Sequence, residues 1–132
     1  MDFASIRVIT ADLAPLVAFY ENATGIPARW STEDFAEIVT PGATLALAAE
    51  RTMALFGSPA ARPAANASVI IEFRVDDVDA AYETIRPLTH DVVQEPTTMP
   101  WGNRSLLVRD PDGNLVNFFT PVTADALARL GA

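Results

Sequence analysis

The chain has 132 residues, half of them hydrophobic and a fifth charged, which is globular composition for one domain or for two small repeats sharing a core. It holds no cysteine and one histidine, which excludes disulfide scaffolds, thiolate metal sites, cysteine nucleophiles and any site that needs two histidines of one chain. Net charge is −8, with nine arginines and no lysine, which argues against a nucleic-acid binder and removes lysine Schiff-base chemistry.

The first element is a strand, Ile6-Arg-Val-Ile-Thr, running into Asp12, and an aspartate there is placed to N-cap a helix. The helix is predicted over residues 13–22, with Leu13, Leu16, Val17 and Tyr20 on one face and Gly25 just past its end. Strands follow at 29–31, 35–40 and 44–49, the last two joined at Pro41-Gly42. Residues 57–66 form a Pro/Ala-rich linker without periodicity.

The pattern then repeats, with Asp77 standing 65 residues after Asp12. Ile71-Glu-Phe-Arg-Val leads into Asp77, and a helix is predicted over 78–86, with Val78, Ala81, Tyr82 and Ile85 on one face. His90 takes the place of Gly25, a helix-end turn rather than a strand. Strands follow at 92–95, 105–109 and 115–120, the last two joined by Asp110-Pro-Asp-Gly-Asn114, where Gly113 supplies a positive φ. The organisation expected is a first βαβββ module over 1–56, a linker over 57–66, a second βαβββ module over 67–122 and a tail over 123–132, together one structural domain of the α+β class. The tail reads as a short helix or a frayed end.

Strand alternation puts Ser5, Arg7 and Ile9 on one face, with Ile70, Glu72 and Arg74 on the equivalent face of the second module. Ile6, Val8, Ile71, Phe73 and Val75 are then expected beneath the helices. No phosphate loop, nucleophile elbow or dinucleotide fingerprint occurs. Asp76-Asp77-Val-Asp79 reads as helix N-terminal charge. Nor does any apolar run approach the roughly 18 residues of a membrane span. The opening residues lack a basic stretch followed by a long apolar one, so a cytoplasmic protein is expected.

The repeat, the helix entry Val75-Asp-Asp-Val-Asp-Ala-Ala-Tyr82, Pro100-Trp-Gly102 and Asp110-Pro-Asp-Gly-Asn114 together resemble the vicinal oxygen chelate superfamily, specifically its glyoxalase / bleomycin resistance protein / dioxygenase group. The resemblance runs from about Ser5 to Pro121. It implies two βαβββ repeats related by a pseudo-twofold axis, with curled sheets forming a cup and helices outside. It also implies that metal ligands, where present, come from the positions held here by Ser5, Ala46, Ile70 and Asn117. Two of these side chains carry no donor atom and two are neutral, so no metal and no other cofactor is expected.

Within that architecture Arg7 and Glu72 occupy equivalent places, and an Arg7–Glu72 ion pair is expected in the cup floor, either as a polar anchor for a ligand or as a structural pair, buried or exposed at the rim. Trp101 offers a flat contact surface, Ser5 and Asn117 offer polar groups, and Glu37 shares a strand face with Phe35. Two functions stay open. One is a non-catalytic protein that binds a drug or metabolite in an aromatic-lined cup. The other is a glyoxalase- or dioxygenase-type enzyme using Glu72 or Glu37 as a base. The expected partners are a small-molecule ligand and a second copy in a homodimer, with no nucleic acid and no membrane.

Overall fold

The structure is a computed structural model that describes residues 1–57 and 60–131. Ser58 and Pro59 of the expected linker, and Ala132 of the tail, lie outside the described residues. The chain divides into two compact units, Met1–Asn66 and Ala67–Ala132.

The first unit runs β1 (Ser5–Thr10), α1 (Leu13–Thr24), β2 (Arg29–Thr32), β3 (Phe35–Val39) and β4 (Thr44–Ala49), followed by a 3-10 helix at Glu50–Phe56. The second runs β5 (Ile70–Arg74), α2 (Val78–Ile85), a 3-10 turn at Arg86–Leu88, β6 (Val92–Thr98), β7 (Asn103–Arg109), β8 (Leu115–Pro121) and α3 (Ala124–Leu130). Each unit builds its own four-stranded mixed sheet, in the orders β1-β4-β3-β2 and β5-β8-β7-β6. In both, the first strand runs parallel to the last and the remaining neighbours are antiparallel. This is an α+β fold of two βαβββ repeats, and the sheets are not closed into a barrel. Among the described residues no helix is long and apolar enough to cross a membrane.

The helices lie across their sheets on a face set by the strand period. In the first unit α1 buries Leu16, Val17, Phe19 and Tyr20 against β3 and β4, where Ala36, Ile38, Leu45 and Leu47 are buried. In the second, α2 buries Val78 and Ile85, and fully buried Leu106, Val108, Val116 and Phe118 share the face beneath it. Phe73 stacks on Phe118 there, with centroids 5.5 Å apart. α2 is also tied down by polar contacts: Arg104 of β7 donates two bonds of 3.0 Å to Asp79, and Val78 N donates to Thr120 Oγ1.

Several expectations are corrected. Asp77 caps α2 by accepting from Ala80 N, but Asp12 makes no side-chain cap bond. The third helical residue of α1 is Pro15, which has no N–H to donate. Ile6, expected beneath α1, is exposed, while Ile9 on the other face is buried. Ile9 is buried by the unforeseen 3-10 helix at Glu50–Phe56, whose Met53 packs with Ile9, Ala48 and Phe35. A short segment of that kind leaves no clear period in the sequence. The offset between the repeats grows along the chain, from 65 residues between β1 and β5 to 71 between β4 and β8. The longer β6–β7 hairpin and the β7–β8 turn stretch it, so Ala46 corresponds to Asn117, 71 positions on.

Candidate functional site

On the sheet faces turned away from α1 and α2, the register sets out two corresponding rows. In the first unit Arg7, Ala46, Glu37 and Arg29 lie side by side across β1, β4, β3 and β2. In the second the same rungs hold Glu72, Asn117, Leu107 and Gln94 across β5, β8, β7 and β6. Four of the sequence-predicted residues, Arg7, Glu37, Glu72 and Asn117, therefore occupy these rows. Ser5 sits one rung out from Arg7, paired with Thr44, and is exposed.

Arg7 is exposed, and its guanidinium carbon lies 5.5 Å from the centre of the Phe35 ring and 5.8 Å from that of Phe56. Among the described residues neither Arg7 nor Arg29 closes an ion pair onto Glu37. The magnitudes explain this. An exposed cation–π contact is worth about 0.5–1 kcal/mol and an exposed ion pair about 0.2–1 kcal/mol, so two rings outcompete one carboxylate. Phe35 shares its strand face with Glu37, which the sequence showed. Phe56 lies in the 3-10 helix, and no sequence signal pointed to it.

In the second unit Asn117 Nδ2 donates to Glu72 Oε2 over 2.8 Å. The carboxylate fixes the amide's orientation, because the reversed amide would set two oxygens face to face. Asn117 is buried at 8 % exposure, and its Oδ1 has no hydrogen-bond partner. A buried acceptor left unpaired costs roughly 1–3 kcal/mol. Glu72 itself is exposed. Each member of the expected Arg7–Glu72 pair thus has a partner inside its own unit. Arg74, on the face of Glu72, donates to the carbonyls of Leu130 and Gly131 and so holds the end of α3.

The other candidates stand apart from these rows. Trp101 is half exposed at the β6–β7 hairpin, and its carbonyl accepts a bond from Arg129 of α3. Trp30, on β2, is also half exposed. His90 is exposed at the turn before β6. Glu95 accepts from the Tyr82 hydroxyl, whose pKa is pushed up first by burial and then by that bond. Of the positions to which the resemblance assigns metal ligands, Ala46 is buried without a donor, Ile70 is exposed, Ser5 is a lone hydroxyl and Asn117 is committed to Glu72. That donor set does not fit a divalent transition metal. Among the described residues no group of three or more His, Cys, Asp or Glu side chains could hold one.

The family model described as Glyoxalase/Bleomycin resistance protein/Dioxygenase superfamily matches residues 2–118. An uncharacterized protein of Bacillus subtilis, YraH, is 26% identical over 125 residues, which cover 90% of this chain and 98% of that one. Among solved structures, a glyoxalase/bleomycin resistance protein/dioxygenase from Nocardioides superposes with a TM-score of 0.75 at 24% identity, covering 94% of this chain and 85% of that one. A family enzyme from Burkholderia phytofirmans superposes with a TM-score of 0.80 at 16% identity, covering 92% and 100%.

Proposed function

The chain belongs to the Glyoxalase/Bleomycin resistance protein/Dioxygenase superfamily, and we propose that within it this protein binds a small organic molecule without a metal. The observation that carries this reading is Asn117. A neutral amide stands where the superfamily resemblance puts a metal ligand, and it is held by Glu72 with a buried acceptor left over. A buried polar group in that state calls for a partner, and a ligand N–H or O–H is one that could supply it. Glu72 and Asn117 are the polar contacts of this reading in the second unit, which also carries Trp101, and Arg7 and Glu37, with Ser5 beside Arg7, are the polar groups the first unit offers. The net charge of −8 favours approach of a ligand with a cationic group. The same reading makes the protein a cytoplasmic homodimer, and the exposed Phe3 and Leu55 support the dimer. Light scattering at micromolar concentration checks the dimer.

Thermal shift tests the main reading, because a ligand stabilises the state it binds. Added Zn²⁺ or Ni²⁺ is expected to leave the melting temperature unchanged. A screen of antibiotics and acyl metabolites is expected to give hits that Glu72→Gln abolishes. Stoichiometric transition metal in the purified protein, lost with Asn117→Ala, overturns the proposal.

A further inference from the structure

The segment Glu50–Phe56 is a 3-10 helix of seven residues, whereas such helices rarely exceed about four because their hydrogen bonds are poorly aligned. Met53 is its one buried residue, and Leu55 and Phe56 stand 85% and 63% exposed. Met53 sits on a single rung of the first sheet, made by Ile9 of β1, Ala48 of β4 and Phe35 of β3. The next rung is the row of Arg7, Ala46 and Glu37. Apart from Met53, what fastens the segment is local and weak. Asp34, in the β2–β3 turn, accepts Ala49 N at its carbonyl over 2.9 Å and pairs with Arg51 at its carboxylate. Phe56 meets the Arg7 guanidinium with its ring centre 5.8 Å away. Arg51 and Arg7 are both exposed, and an exposed ion pair or cation–π contact favours the closed arrangement by a factor of at most about five. The helix ends at Gly57, whose φ of +74° a glycine adopts without strain.

We propose that Glu50–Phe56 is a strap that opens as a unit while the first sheet stays folded. Closed, it covers the rung of Ile9, Ala48 and Phe35 with Met53 and engages Arg7 through Phe56. Open, it uncovers that apolar rung and leaves Arg7 with Phe35 alone, one rung away on the row of Glu37. Opening gives up the burial of one side chain and two weak contacts, whereas unfolding the unit gives up its whole core beneath α1. The strap therefore belongs to the low-stability part of the molecule, where local opening precedes global unfolding. The first unit then has two states that differ in what its apolar rung and its guanidinium present to solvent. This inference goes beyond the metal-free reading and does not depend on it.

The test uses the absence of cysteine from the chain. Met53→Cys puts one thiol beneath the strap, and Val17→Cys puts one in the core of the same unit, at a side chain buried to 2%. Each full-length variant is labelled with iodoacetamide under native conditions. The thiol of Met53→Cys is expected to react at least about a hundredfold faster than that of Val17→Cys. Its rate is expected to stay nearly flat in low urea, where the rate for Val17→Cys climbs steeply. Adding Arg51→Ala removes the pair with Asp34 and is expected to speed labelling in Met53→Cys by about two- to fivefold, with no change in Val17→Cys. Amide exchange on the unmodified chain reads the same event without a substitution in the core. The amides of Ala54, Leu55 and Phe56 are expected to exchange together and about a hundredfold faster than those of Leu45 and Leu47 in β4. The proposal is overturned if the two thiols react at the same rate with the same urea dependence, if Arg51→Ala accelerates both alike, or if the strap amides exchange no faster than those of β4.

Discussion

Across the first sheet the row reads Arg7, Ala46, Glu37, Arg29, and at the same rungs of the second it reads Glu72, Asn117, Leu107, Gln94. The two ladders share order and direction, yet the residues they carry differ in charge and size. A cation held by aromatic rings starts one row, and a carboxylate holding a buried amide starts the other. The segments after the last strands differ as well. In the first unit a 3-10 helix puts Met53 onto Ile9, and in the second Arg74, at the position equivalent to Ile9, holds the C-terminal carbonyls of α3. One backbone plan thus fixes where side chains stand, and the sequence of each repeat decides what they do there.

The largest expected effect tests the apolar cover of the first unit. Met53→Ala should cost about 2–5 kcal/mol in urea unfolding, because Met53 is buried against Ile9 and Ala48. A cost under about 1 kcal/mol means that the segment Glu50–Phe56 is not a packed part of that half. Next comes a pair of glycines in the two units. Gly102 has φ +92°, and a Cβ added there meets the Thr123 side chain that caps α3. Gly102→Ala should cost about 1–3 kcal/mol. Gly42→Ala, with nothing near the added Cβ, should stay within about 0.5 kcal/mol. Equal costs would erase this difference between the halves.

Smaller still is Asn117→Leu, which removes the unpaired acceptor and leaves Glu72 facing solvent. Stability should change by under about 1 kcal/mol or rise slightly, while ligand hits from the screen are lost. A clear loss of stability means that the amide contributes to the fold rather than to a site. The last effect concerns pH. The Arg104 guanidinium bonded to Asp79 holds that carboxyl below its usual range, against a smaller opposing effect of desolvation. Arg51 does the same for Asp34 in the first unit. A depressed carboxylate pKa gives stability that is present above the ordinary carboxylate range and lost as pH falls through the lowered value. Asp79→Asn and Asp34→Asn should each flatten the acid side of a melting-temperature profile, and a steeper profile in either variant contradicts its ion pair.

Much of the fold was legible because it rests on local chemistry. The β-branched runs before Asp12 and Asp77, the helical spacing of Leu16, Val17 and Tyr20, and the turn glycine Gly113 at φ +82° all act within a few residues of chain. The family resemblance also put Ala46 and Asn117 at corresponding positions, and the register agrees, since Ala46 pairs with Arg7 as Asn117 pairs with Glu72. Asp12 marked the start of α1 but did not cap it, because Pro15 removed the N–H that Ala80 supplies in the second repeat.

The sequence by itself therefore determined the repeat, its elements and the face on which each strand residue stands, because strand alternation and helix periodicity are properties of the chain alone. The tertiary structure decided what those residues meet. That Phe56 reaches Arg7, that Met53 buries Ile9, and that Glu72 takes the amide of Asn117 while its oxygen stays unpaired all depend on segments distant in sequence coming together. Such contacts are set by packing geometry and by competition among interactions of similar size, and neither is written in the local pattern of residues.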